Sequence, residues 1–269
     1  MSSTPTHVHP EITVITVCKN AAEGIERTVT SVLAQCATHI EFVIIDGGST
    51  DGTLDVLSHY APQLDCLVTE PDAGIFDAMN KGLRRAHGEL VLFLNAKDTL
   101  IDSQVAKRAT TAYKETRAAF IYGDVMVIES IEGRTVNISY KDWDLARFFD
   151  APICHQGVFA SRQAFDECGG FDIVRRYTAD FDWILRALRQ KRLPSHYLPT
   201  VVAAFDGTGV SSDRNPSVVR QIKAEMKKSL ECYFSPWERF GYRLARRAQL
   251  RRSPPIWKMV KRAMQWQMG

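Results

Sequence analysis

Oxygen-bearing side chains gather at a few points along this 269-residue chain. The segment FLNAKDTL (93–100) runs an apolar stretch into Asn95, Ala96, Lys97 and Asp98, and DGGSTDGT (46–53) follows another with Asp46, Gly47, Gly48 and Ser49. EPDAGIFDAMNKG (70–82) carries Asp72, Asp77, Asn80 and Lys81; HQGVFA opens on His155 and Gln156; YTADFDWILRAL (177–188) sets Asp180 and Asp182 at a helix start. Such clusters suit two tasks. Carboxylate and amide oxygens hold a hard divalent cation that bridges phosphates, and a carboxylate within about 3 Å of a hydroxyl can take its proton. Each cluster also has a plain structural reading. DGGSTDGT can be a strand-to-helix turn with Ser49 as cap, Asp77–Lys81 and Asp182–Arg186 can be i,i+4 pairs, and a lone His155 can be a satisfied structural residue.

The surrounding elements decide whether these residues can meet. ITVITV (12–17) is a short β-branched run followed by a helical pattern through Ile25, Val29, Val32 and Leu33. The unit recurs with EFVIID (41–46) and DCLVT (65–69), each leading to a helical segment, and ELVLFL (90–94) adds a fourth strand. Near-continuous apolar strands alternating with helices imply a parallel sheet covered on both faces, and ligands bind such sheets beyond the carboxyl ends of the strands. Asn20, Asp46, Glu70, Asp72 and the 95–98 cluster all fall at those ends. The second half is less regular: AFIYGDVMVI (119–128) and RTVNISY (134–140) read as strands joined at Glu132-Gly133, HQGVFA (155–160) as another strand, and 179–189 as a helix.

Composition is that of an ordinary globular protein, with 45% hydrophobic and 24% charged residues. The six cysteines are scattered without the close pairing of a structural zinc site and are expected to be reduced. The first residues, MSSTPTHVHPE, lack an apolar signal core, and no apolar run approaches the ~20 residues of a membrane span; a cytoplasmic location follows as an expectation. Charge divides unevenly. Residues 214–269 hold 14 Lys/Arg against 3 Asp/Glu, +11, and residues 1–213 hold 20 against 28, −8. In PWERFGYRLARRAQL (236–250), Trp237, Phe240, Leu244 and Ala248 share one helical face and arginines another. Residues 236–269 therefore suit either an anionic membrane surface or packing on the body of the protein with a solvated basic face. No recognised nucleic-acid-binding motif accompanies the basic tail, and no nucleic acid is expected as a partner.

Six blocks in order, ITVCKN, SVLAQ, EFVIIDGGSTDGT, EPDAGIFDAMNKGLRRAHGELVLFLNAKD, HQGVFASRQAFDECGGFD and YTADFDWILRAL, resemble the family 2 glycosyltransferases of GT-A fold, in particular bacterial polysaccharide and colanic-acid-type enzymes. The resemblance spans roughly residues 11–210. It implies an α/β fold with a mostly parallel central sheet flanked by helices, a catalytic domain over 11–213 (nucleotide-binding to about 100, acceptor half from 101) and a basic helical C-terminal extension over 214–269.

It also implies roles. Thr16, Val17, Asp46 and Gly48 fall where the family holds the nucleotide, Asp46 as acceptor for a uracil N–H. Asp72 and Asn80 lie beside the ribose and diphosphate, while Lys81 is left open between contact and helix pairing. The 95–98 segment matches the metal site, with Asp98 as metal ligand and Asn95 as a donor contact. Asn95 and Lys97 stand where the family commonly has carboxylates, so a two-carboxylate site for Mg2+ or Mn2+ is not expected. Lys97 points away, or its ammonium adds charge near the diphosphate. Asp180 is the expected catalytic base, with Asp182 preferred as a structural acid; His155, Gln156 and Asp182 lie on the acceptor side. Gly207 to Ser212 can form a loop closing over the diphosphate or an ordinary connection.

The expected reaction is inverting transfer from a nucleotide-sugar, a UDP-sugar foremost, to a saccharide or polyprenyl-linked saccharide in surface polysaccharide synthesis on the inner face of a bacterial membrane. The substitutions at 95 and 97 motivate one alternative, a catalytically lapsed nucleotide-sugar-binding protein.

Overall fold

The computed structural model describes residues 9–36, 39–129, 134–149, 152–207, 215–242 and 244. The expected turn at Glu132-Gly133, most of the 207–212 loop and the tail from 245 onward lie outside these residues.

Four parallel strands form the first half: β1 (Ile12–Cys18), β2 (Ile40–Asp46), β3 (Cys66–Thr69) and β4 (Leu90–Phe93), in the order β3-β2-β1-β4. Helices α1 (Ile25–Leu33), α2 (Thr53–Tyr60) and α3 (Ile75–Leu83) are the crossovers. β1 and β4 are buried throughout, as expected for strands covered on both faces. Their side chains split between two apolar layers: Ile15, Val43, Ile45 and Val91 face one, and Ile12, Val14, Ile44 and Leu92 face the other. That division follows from the two-residue period of a strand.

Beyond β4 the sheet turns mixed. After the short β5 (Thr99–Leu100) and helix α4 (Val105–Thr116) come β6 (Phe120–Glu129) and β7 (Arg134–Ile138). β8 (Val158–Ser161) pairs antiparallel with both β4 and β6, and β9 (Ser195–Asp206) runs parallel to β6. The mostly parallel sheet that was expected is therefore strictly parallel over β1 to β4 and mixed beyond them. His155 and Gln156 also differ from expectation: they sit on a 3-10 turn, His155–Gly157, ahead of β8. Helix α5 (Arg162–Cys168) follows β8, and α6 (Ala179–Leu185) passes into a π turn over Arg186–Gln190. β5, α4 and β9 carried no motif that announced them.

Helix α7 (Pro216–Tyr233) begins with the Asn215 side chain accepting from Ser217 N–H and proline in its first turn, a common N-terminal arrangement. It packs on α6, and Ile222 and Phe234 are buried. The next helical run, 236–242, turns Tyr242 inward against Phe149 and Phe234, with ring centroids 4.8 and 5.7 Å apart. Trp237, Phe240 and Leu244 remain 83%, 55% and 48% exposed. Among the described residues, no helix is long and apolar enough to cross a membrane.

Candidate active site

At the carboxyl ends of β1 and β2 the backbone is tightly cross-bonded. Thr16 is fully buried and donates its hydroxyl to the Leu94 carbonyl at 2.8 Å; the Val17 carbonyl accepts from Ala96 N–H at 3.1 Å. Asp46 is 0% exposed. Its carboxylate accepts from Gly48 N–H at 3.1 Å, Ser49 N–H at 3.0 Å and the Ser49 hydroxyl. Asp46 therefore holds the turn after β2, and its carboxylate is not open to a base in the way expected of it. The turn needs Gly48 at φ +80°, a conformation that suits glycine. Asn20, at φ +51°, stitches the two turns together: its N–H donates to Ser49 Oγ at 2.8 Å and its Oδ1 accepts from Thr50 N–H at 2.9 Å.

The loop before α3 forms the next wall. Asp72 accepts from Gly74 N–H at 2.9 Å, and its other oxygen lies so near Gly47 that a side chain there would collide with it. Lys81 donates to the Pro71 carbonyl at 2.6 Å and pairs with Glu70 at 3.2 Å and Asp77 at 3.6 Å; it braces the loop. Asn80, expected beside the donor, has another task. Its Nδ2 donates to the Phe171 carbonyl at 2.8 Å and its Oδ1 accepts from Phe171 N–H at 2.9 Å. Both ends of the amide thus clamp α3 to the GGFD turn, and Gly170 lacks the Cβ that would strike Asn80.

The centre assembles residues from three segments, 95–98, 155–156 and 180–181. His155 Nδ1 lies 2.8 Å from Asp180 Oδ2, and His155 Nε2 lies 3.1 Å from Asn95 Nδ2. Asp180 also accepts from Phe181 N–H at 2.8 Å and keeps 22% of its side chain exposed, enough for an incoming hydroxyl to reach it. Gln156 Nε2 donates to Asp98 Oδ2 at 3.2 Å, and Asp98 N–H closes a turn onto the Asn95 carbonyl at 3.0 Å. Gln156 is therefore a buttress for Asp98. Burial opposes charge on His155, but the hydrogen bond and attraction of Asp180, with a further contribution from Asp98, raise its pKa above the ordinary imidazole value.

Asp182 does not join this cluster. It is 3% exposed and receives Arg175 at 2.9 Å, Arg186 at 3.0 Å, Ser229 Oγ at 2.9 Å and Tyr233 OH at 3.3 Å. The expected Arg186 pair is present, within a larger hub. Lys97 has φ +78°, and its stem crosses Gly24 at the start of α1.

A divalent cation here would rely on few protein ligands, because among the described residues no group of three His, Cys, Asp or Glu could hold one. One observation nevertheless fits it. Asn95 Oδ1 is buried without a hydrogen-bond partner, an oxygen close in sequence to Asp98. An amide oxygen and one carboxylate, completed by phosphate oxygens, suit Mg2+ or Mn2+.

Residues 13–170 match the model of Glycosyl transferase family 2. A PGL/p-HBAD biosynthesis glycosyltransferase of Mycobacterium bovis is 32% identical over 206 residues, covering 74% of this chain and 78% of that protein. A putative teichuronic acid biosynthesis glycosyltransferase of Bacillus subtilis is 42% identical over a shorter stretch of 96 residues, 35% of this chain and 38% of that one. Among solved structures, S. aureus TarS in complex with UDP superimposes with a TM-score of 0.62 at 19% identity, covering 80% of this chain and 65% of that one. A mannosyltransferase from Pyrobaculum calidifontis, in complex with GDP-Man and Mn2+, gives 0.61 at 17% identity, covering 97% and 86%. At these identities the two structures establish the GT-A architecture.

Proposed function

The chain belongs to Glycosyl transferase family 2, and on that premise we propose that it transfers a sugar with inversion from a nucleotide-diphosphate donor, a UDP-sugar foremost, to a hydroxyl of a saccharide or lipid-linked saccharide. One observation carries the reading: a partly exposed carboxylate, Asp180, is held 2.8 Å from His155 and linked through it to Asn95 at the end of the nucleotide half. Asp180 takes the proton of the acceptor hydroxyl, whose oxygen attacks the anomeric carbon. The bond from that carbon to the diphosphate breaks on the opposite face, and the nucleoside diphosphate leaves with the electron pair. His155 orients the Asp180 carboxylate. Gln156 orients Asp98, and Asp98 with the Asn95 amide oxygen would hold a divalent cation, which supplies neutralisation of the charge on the departing diphosphate.

The donor lies over the turns after β1 and β2. Because Asp46 holds its turn from within, Gly48, Asp72 and the backbone of 47–50 are the contacts proposed for the nucleotide, with Thr16 and Val17 shaping the floor. A UDP donor is supported by the likeness to TarS, solved with UDP, and a place in surface polysaccharide or glycolipid synthesis by relatives named for PGL/p-HBAD and teichuronic acid biosynthesis. The catalytic unit proposed is 11–213, with 214–269 as its extension. The solvent-facing Trp237, Phe240 and Leu244 and the basic residues that follow them support peripheral attachment to an anionic membrane from the cytoplasmic side.

Sugar transfer and hydrolysis from UDP-, GDP- and dTDP-sugars, assayed with Mn2+ and with chelator, test the reading. Turnover of a UDP-sugar that chelator suppresses is the expected result. Tight nucleotide-sugar binding without turnover under every condition would instead favour a lapsed, binding-only protein.

A further inference from the structure

Helix α6 carries Asp180 as its second residue, yet it begins without a side-chain cap of its own: Thr178, at the N-cap with φ −137°, makes no capping hydrogen bond. The donors ahead of the helix are met by α7. Glu225 accepts from Arg176 N–H at 3.2 Å and Tyr177 N–H at 3.0 Å, and from the Thr178 hydroxyl at 3.1 Å. Gln221, one turn earlier, donates to the same carboxylate at 3.1 Å, and Arg175 Nη1 donates to the Glu225 carbonyl at 3.1 Å. Farther along α7, Ser229 and Tyr233 hold Asp182, two residues past Asp180. The chain on both sides of Asp180 is thus gripped by α7, while the Asp180 carboxylate turns toward His155.

We infer that Glu225 is a positioning residue for sugar transfer: it fixes the 175–178 turn so that Asp180 presents its carboxylate to His155 and the acceptor. This rests on Asp180 being the base. The chemistry favours a carboxylate at 225, because three donors, the N–H groups of Arg176 and Tyr177 and the Thr178 hydroxyl, converge on it, and an ionised acceptor makes the stronger hydrogen bonds. Misplacing a reacting group by about 1 Å can cost on the order of 100-fold in rate, so a bracing residue that touches neither substrate can still govern turnover. Among the described residues α7 packs chiefly on α6 and the π turn behind it, whereas β1 to β4 form the proposed nucleotide half.

The experiment uses the full chain and compares wild type with Glu225→Ala, Glu225→Gln, Thr178→Val and Asp180→Asn. kcat, donor KM and UDP affinity are measured for each. Glu225→Ala is expected to lower kcat by about 10- to 100-fold with UDP affinity within twofold of wild type. Glu225→Gln, which keeps one acceptor oxygen, should lose less, and Thr178→Val several-fold. A kcat for Glu225→Ala within threefold of wild type, or a fall in UDP affinity matching the fall in kcat, overturns the inference. If Glu225→Ala does not fold, Thr178→Val decides: an unchanged rate in that variant also overturns it. Full activity in Asp180→Asn would remove the base assignment itself, whereas an inactive Asp180→Asn beside a fully active Glu225→Ala removes only the role of Glu225.

Discussion

His155 and Asp180, 25 residues apart in the chain, meet through a 2.8 Å contact between Nδ1 and Oδ2. The first comes from a turn ahead of β8 and the second from the start of α6. The contact makes a partly buried imidazole the orienting partner of a partly exposed carboxylate. With Asn95 donating to Nε2, Nδ1 is the protonated nitrogen in the neutral ring. When the ring is charged, both nitrogens donate, Nδ1 to the Asp180 carboxylate.

The pH dependence of stability follows from this pair. Asp180 raises the folded pKa of His155 above its unfolded value, so the contribution is complete below the unfolded pKa of about 6.5 and is lost as pH rises through the folded value. The difference in melting temperature between wild type and His155→Gln should be larger at about pH 6 than at about pH 9. A difference that grows with pH would mean the ion pair has been misassigned. His155→Gln should also lower kcat by about 10-fold or more while leaving UDP affinity near wild type.

Asn80 provides a test of where binding ends and bracing begins. Its amide closes two hydrogen bonds onto Phe171, each worth about 1 kcal/mol. Asn80→Ala should therefore destabilise the protein by about 2 kcal/mol in urea unfolding and shift UDP affinity by less than threefold. A large loss of UDP affinity at unchanged stability would restore a direct donor contact.

Lys97 is predicted not to serve in place of a metal. Its stem lies on Gly24 at the start of α1, so Lys97→Ala should leave the rate, and its response to Mn2+, within about threefold of wild type. A rate that collapses and recovers only with excess Mn2+ would show that the ammonium faces the diphosphate.

Thiol labelling checks the packing independently. Cys36 and Cys232 are exposed, whereas Cys18 and Cys168 are buried. Burial pushes the Cys154 thiol up to about 11 and raises Cys18 as well, with Asp46 adding to the latter. Iodoacetamide at pH 8 should modify Cys36 and Cys232 rapidly and leave Cys18 and Cys154 until the protein is unfolded, as read by peptide mass spectrometry. Prompt modification of Cys154 would be inconsistent with the packing around the His155 turn.

The first half of the fold was readable because β1, β2 and β4 are near-continuous apolar runs with polar residues at their ends, a pattern local in sequence. β9 was not, since SHYLPTVVAAFD mixes polar residues, a proline and a register shift against β6. Within the site, residue types announced themselves, but tasks did not. Asp46 and Asn80 look like ligand contacts and turn out to hold backbone, because whether an amide or carboxylate faces inward depends on neighbours elsewhere in the chain. Glu225 has no local signature for the same reason: it stands 47 residues from Thr178, in a helix where basic residues outnumber acidic ones. A lone acid on the face of α7 that packs against α6 was the available signal.

Asp180 is the residue proposed to take the acceptor proton. Asp180→Asn, which keeps the size and most of the polarity of the side chain, should lower sugar transfer by at least about 1,000-fold while UDP-sugar affinity, measured by calorimetry on the same preparation, stays within about threefold of wild type. Transfer near the wild-type rate in Asp180→Asn, with donor binding intact, would contradict the account.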